Sequence, residues 1–200
     1  MDILKKTSSG NGLIPLKTQY FEDGVIFLEG EVNKESAMEV CLQLAELLKR
    51  GAEEVLLVVD SHGGSIQAGL AICDAIDSMP IKVHTYCPSE IFSMAALIFI
   101  CGTGDRVMAP HAKLMLHEPL VRGVKDGSLS SLVAVCNDLM KNKKILQKMV
   151  QERTGLCDED LDDFFSEDSY FDARECQVMG MADRIEATEF LVRFGKNRLL

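Results

Sequence analysis

The chain lacks several features that would direct its reading elsewhere. It has no CxxC pair, no apolar run of membrane-spanning length, no surplus of basic charge and no Walker A pattern. Its longest apolar stretch, Met94 to Cys101, is far short of the ~20 residues that cross a bilayer. Met1 to Gln19 contains no apolar h-region, so no secretory signal is expected there. Lys and Arg total 21 against 31 Asp and Glu, a net charge of −10, which excludes a phosphate-binding surface of the kind nucleic acid requires. The run Lys141, Lys143, Lys144 and Lys148 reads as the solvated face of a helix. At Gly195-Lys196, the position five residues before the glycine is Phe190, so the phosphate loop of an ATPase is missing. The seven cysteines are odd in number, widely spaced and mostly set in apolar patterns. They behave as small hydrophobes in a reducing, cytoplasmic compartment, and neither a disulfide framework nor a metal site is expected.

Two hundred residues with 47% hydrophobic content suffice for one α/β domain with a sizeable core. Residues 1–19, with the polar stretch Thr7 to Gly12, read as a flexible N-terminal arm, and residues 20–200 as the domain. Strand-like runs at Val25–Leu28, Val55–Val59, Ile81–Tyr86, Arg106–Met108 and Lys113–Leu116 alternate with helical patterns. The first helix runs from an Asn33 cap to about Arg50, with Met38, Cys41, Leu42, Ala45 and Leu48 on one face. Others follow at Ile66–Met79, from near Phe92, at Ser128–Arg153 and at Ala173–Met179; Gly123 and Gly127 bracket a loop or hairpin before the long one. Alternation of this kind implies a parallel sheet with helical crossovers and one protruding long helix.

Three local contexts carry chemistry. The strand Val55–Val59 runs into Asp60-Ser61-His62-Gly63-Gly64-Ser65, where Gly63 and Gly64 let backbone N–H groups face a cleft as oxyanion donors, or simply make a tight turn. Ser93 opens an apolar helix and is either a nucleophile or an ordinary N-cap. His117 ends a strand-like run and is either the base for that serine or a histidine satisfied by backbone. A carboxylate that would orient the imidazole is not singled out by chemistry: Asp158, Asp160, Asp162, Asp163, Asp168 and Asp172 share one acidic stretch.

In order along the chain, these segments resemble the caseinolytic (Clp) protease proteolytic subunit family. Val58 to Ser65 followed by Ala68-Gly69-Leu70-Ala71-Ile72-Cys73-Asp74 is similar to its SPGG and AGxAIxD signature. Ser93-Met94 resembles its AASMG nucleophile motif, Met115 to Pro119 its MIHQP, and Glu167-Asp168 with the Glu175–Gly180 helix and Asp183 its acidic C-terminal pattern. The resemblance spans about residues 20–186 and departs at His62 in place of proline, at Glu90-Ile91-Phe92 before the serine, at the short turn Thr103–Arg106 and in the arm. It implies a crotonase-like ββα superhelix with the long helix as a handle. It also implies a Ser93–His117–Asp168 triad, Gly64 and Met94 as oxyanion donors, and His62, Gly63 and Ser65 as substrate contacts. No cofactor is called for. The resemblance further implies a homo-oligomer of two stacked heptameric rings that cleaves unfolded proteins or peptides, fed by an AAA+ ATPase unfoldase. Two rival readings are a coenzyme-A hydratase or isomerase of the same superfamily, and an inactive paralogue in a mixed ring.

Overall fold

The computed structural model describes residues 1–7, 10–121 and 128–196. The loop or hairpin expected around Gly123 and Gly127 lies outside the described residues. Regular structure starts earlier than composition suggests. Strands β1 (Asp2–Thr7) and β2 (Gly10–Pro15) pair antiparallel with Leu4 opposite Leu13, where the sequence reads as an arm without secondary structure. Cross-strand pairing satisfies backbone groups that composition alone assigns to water. Helix α1 (Leu16–Glu22) follows, and an ion pair between Lys5 and Glu22 ties the hairpin to it.

The elements after it are β3 (Val25–Glu29), α2 (Lys34–Lys49), β4 (Glu54–Asp60), α3 (Ile66–Ser78), β5 (Lys82–Cys87), β6 (Glu90–Phe92), α4 (Met94–Ile100), β7 (Arg106–Met108) and β8 (Lys113–Leu116). The chain then forms α5 (Leu129–Thr154), α6 (Asp158–Phe164), β9 (Ser169–Asp172), α7 (Ala173–Val178), β10 (Arg184–Ile185) and α8 (Glu189–Lys196). Five of the strands form a parallel sheet in the order β10-β7-β5-β4-β3, and β6, β8 and β9 form a second, three-stranded sheet.

Strand period decides how the large sheet is buried. Ile26, Leu28, Val55, Leu57 and Val59 face the main core with α2, α3 and α4. The alternate residues Val25, Leu56 and Val58, with Tyr86 and Val107, face the other way and are covered by Phe190 and Phe194 of α8. Both faces of β4 are thus buried, which is why its sequence is an unbroken apolar run.

Helix α2 forms where the pattern places it, but turned. Asn33 and Ser36 make a reciprocal capping box, with the Ser36 N–H donating to Asn33 Oδ1 at 2.9 Å. That start brings Ala37, Val40, Leu44 and Leu47 to the core, while Met38 and Leu42, expected inside, are 55% and 62% exposed. Two apolar stripes lie side by side on this helix, and only packing against β3 and α3 decides between them. Helix α5 keeps its predicted limits, with a Ser128 N-cap and a left-handed Gly155 at its end. Only Asn142, Leu146 and Val150 are buried in it; Leu129 is 78% exposed, and Leu132, Val133 and Met140 are also exposed. The N-terminal half of α5 therefore projects from the subunit.

Arg106 and Asp183 fasten the last strand of the large sheet. The guanidinium grips both carboxylate oxygens, at 3.0 and 2.8 Å, and the Arg106 N–H donates to Oδ2 at 2.7 Å. Burial pushes the Asp183 carboxyl up, but the hydrogen bonds from Arg106 and its charge outweigh that and hold it below the usual carboxylate value. A lowered native value makes this contribution to stability complete above the unfolded carboxylate value, about 4, and lost as pH falls through the native one. Asp183→Asn is expected to lower Tm at pH 7, with the gap to the parent closing below about pH 4. Thermal melts across pH 2–7 check it, and a gap independent of pH overturns it.

Candidate active site

The three-stranded sheet assembles the site by register. Parallel pairing of β6 with β8 sets Phe92 beside Met115, and the Ser93 N–H donates to the Met115 carbonyl at 2.9 Å. Antiparallel pairing of β8 with β9 sets Leu116 opposite Ser169. One step further along the same ladder, His117 stands across from Asp168. The His117 Nε2 lies 2.7 Å from Ser93 Oγ, and its Nδ1 lies 3.6 Å from Asp168 Oδ1. The first distance is a good hydrogen bond; the second is an ion-pair contact, longer than a hydrogen bond. For Ser93 to donate to Nε2, the neutral ring must carry its proton on Nδ1, the nitrogen that faces Asp168.

Ser93 occupies the N-cap position of α4, yet its hydroxyl caps nothing there. Its backbone is at φ 55° and ψ −127°, and it is the only non-glycine residue at positive φ among the described residues. A side chain held in such a conformation costs on the order of 1–3 kcal/mol, which the surrounding packing must offset. The sharp turn between β6 and α4 turns Oγ away from the helix end and toward His117. The His117 side chain is 15% exposed, and Asp168 is 61% exposed.

The acidic stretch separates into different jobs. Asp158 to Asp163 lie in α6, where Asp158 and Asp162 accept hydrogen bonds from Gln151 and Gln147 of α5. Asp172 caps α7 by accepting from the N–H groups of Arg174 and Glu175, both at 2.8 Å. Of the six aspartates, Asp168 is the one paired with His117 among the described residues.

The glycine loop packs against the serine. Gly63 sits at φ +86°, and a Cβ there would stand 2.7 Å from the Phe92 carbonyl oxygen and 2.9 Å from both Met94 N and Ser93 Cβ. Gly64, at φ +151°, would drive a Cβ into the Val32 carbonyl oxygen. The turn thus needs both glycines. The Gly63 N–H is used, donating to Ser61 Oγ at 3.0 Å, so Gly63 lines the cleft without a free donor. Among the described residues, the Gly64 and Met94 N–H groups have no acceptor, and both residues border the same cleft. Ser65 is placed differently from expectation: its Oγ accepts from the Ala68 N–H as the N-cap of α3, and it does not line the cleft.

His62 does line the cleft, in an arrangement the sequence does not signal. Its ring stacks on Phe92 with centroids 4.9 Å apart, its Nε2 lies 2.9 Å from Glu90 Oε2, and Phe92 meets Tyr170 edge-on. These residues lie at separations of 28 and 78 positions, His62 to Glu90 and Phe92 to Tyr170, so no local pattern could join them. The cavity measures about 1100 Å³, with Leu97, Leu146 and Phe165 among its apolar lining.

A mixed α/β fold with a long helix leaving the domain, and a serine hydroxyl bonded to a histidine beside a carboxylate, together define a class of hydrolase-like proteins. The sequence profile of the Clp protease family matches residues 9–189, and the chain belongs to that family. Its architecture is the crotonase-like fold of that family, and membership implies a serine peptidase. No helix among the described residues is long and apolar enough to cross a membrane.

Because a Cβ at Gly63 would press on Ser93 Cβ and Met94 N, Gly63→Ala is expected to destabilise the protein by about 1–3 kcal/mol and to displace Ser93. Tm and the rate of labelling by a serine-directed fluorophosphonate should fall together. Labelling at the parental rate in the substituted protein would show that the loop does not support Ser93.

Proposed function

We propose that the protein is a serine endopeptidase acting on unfolded polypeptides. The 2.7 Å contact between Ser93 Oγ and His117 Nε2, on a serine held at positive φ, carries this reading. Ser93 attacks the peptide carbonyl as His117 takes its proton. The negative charge that develops on the carbonyl oxygen is met by the Gly64 and Met94 N–H groups, and such donors are worth about 2.7–4 kcal/mol each in other serine hydrolases. His117 then passes its proton to the leaving amine, and a water repeats the sequence to release the acyl group from Ser93. Asp168 orients the imidazole and stabilises its charged form. The apolar lining near Leu97, Leu146 and Phe165 receives a side chain of the substrate, with His62 and Gly63 bordering the path of the chain.

The assembly belongs to the same reading. The exposed Leu129, Leu132, Val133 and Met140 on the projecting half of α5 suit burial against a second copy. This supports two stacked heptameric rings with the sites inside a chamber, in the cytoplasm, where seven free cysteines are stable. An AAA+ unfoldase is the partner this arrangement needs, because the chain has no Walker A pattern of its own.

Ser93→Ala and His117→Ala are expected to lower kcat for a fluorogenic peptide by roughly a millionfold, and Asp168→Ala by roughly ten-thousandfold or less. The smaller effect for Asp168 follows from its 3.6 Å separation and its exposure. Steady-state kinetics with circular dichroism as a folding control test the order; turnover by folded Ser93→Ala protein would remove the nucleophile assignment. Without ATP, a disordered peptide should be degraded and a stably folded domain left intact on the same gel. Rapid loss of the folded domain would show sites open to solvent and would end the chamber reading.

A further inference from the structure

The carboxylates around the cleft are more numerous than a triad needs. Glu31, Asp60, Glu90, Glu118 and Asp168 all line it, and no lysine or arginine does so among the described residues. Asp168 is engaged with His117. Asp60 accepts from the Ser89 hydroxyl at 2.6 Å and from the Glu90 N–H at 3.4 Å. Glu31, Glu90 and Glu118 remain to face a bound chain. Glu90 is the one held in place: His62 Nε2 contacts one of its oxygens, and the His62 ring is itself stacked on Phe92, next to the nucleophile. That contact uses one Glu90 oxygen and leaves the second to face a bound chain.

We infer that this cleft selects substrates carrying Lys or Arg beside the scissile bond and rejects those carrying Asp or Glu, with Glu90 as the principal determinant and His62 as the residue that positions it. The inference rests on the peptidase reading for the identity of the ligand, and on the charge of the lining for its preference. Three mechanisms act in the same direction. A cationic side chain gains attraction to several carboxylates at once, and an anionic one meets like charges. A carboxylate already oriented by His62 loses little side-chain freedom when it binds. Phe92, which lines the cleft, offers apolar ring surface to the aliphatic stem of Lys or Arg.

Quenched-fluorescence peptides identical except for Lys, Gln or Glu at one position on either side of the cleaved bond test the preference. On at least one side, kcat/KM is expected to be about tenfold higher for Lys than for Glu at low ionic strength, and the ratio should shrink as salt screens the cleft. Glu90→Gln, a near-isosteric change at a solvent-facing side chain, should reduce that ratio, and His62→Ala should reduce it by a smaller factor. In parallel, the same peptides are titrated onto Ser93→Ala protein and followed by fluorescence anisotropy. Equal kcat/KM and equal binding for Lys and Glu peptides would overturn the inference, and an unchanged ratio in Glu90→Gln would overturn the role of Glu90. If no peptide is cleaved while the Lys peptide still binds more tightly, the peptidase reading fails and the charge preference stands.

Discussion

Backbone pairing in the small sheet of β6, β8 and β9 holds the site together. Ser93 is one residue past the end of β6, His117 one past the end of β8, and Asp168 one before the start of β9. The parallel ladder on one side of β8 and the antiparallel ladder on the other bring those three ends to the same edge. A slip of one residue in either ladder would turn the side chain at its end to the opposite face, because strand side chains alternate. The placement of three residues from distant parts of the chain therefore depends on main-chain hydrogen bonds and on the apolar residues that lock the register: Ile91, Leu114, Leu116 and Phe171 are all buried.

The large sheet supplies the other half of the site. Its strand β4 ends in the glycine loop, and an isolated bridge joins Ser61 to Ile91, so the two sheets are stitched beside Ser93. The Ser61 N–H donates to the Glu90 carbonyl at 3.1 Å, and the Phe92 N–H to the Ser61 carbonyl at 3.0 Å. Gly63 then approaches Ser93 closely enough to leave no room for a Cβ. The strained backbone at Ser93 persists because it is pinned from both sides, by the Met115 carbonyl and by this loop. All seven residues of α4 are buried, so Ser93 opens onto a helix fixed on every side.

What surrounds the reacting groups is less ordinary than the groups themselves. Phe92 brings an aromatic ring beside Ser93, and the His62 ring stacks on it. Together with Glu90 they build a polar and aromatic wall beside Ser93. Outside the cleft, the exposed stripe of α2 and the projecting half of α5 leave apolar surface that a single subunit does not cover.

Much of this was legible in the residues alone. An unbroken apolar run marks β4, the Asn33 cap marks the start of α2, and Gly155 marks the end of α5, because each of these signals is local. Ser93 and His117 stood out for the same reason, each at the junction of an apolar run and a polar turn. Short elements were not legible: β6 and β9 have three and four residues, too few for a period, and they exist only because β8 lies between them. The hairpin β1–β2 escaped detection because polar residues pair as well as apolar ones through their backbones. The core face of α2 was misread because two apolar stripes compete on one helix. By itself, then, the sequence determined the alternation of elements and their main boundaries and drew attention to Ser93 and His117, all through properties of neighbouring residues. The family resemblance pointed to Asp168, Gly64 and Met94, but chemistry alone did not choose among the six aspartates; only the tertiary structure set Asp168 beside His117 and joined His62, Glu90 and Phe92 in one wall, because each depends on strand register and on contacts between residues far apart in the chain.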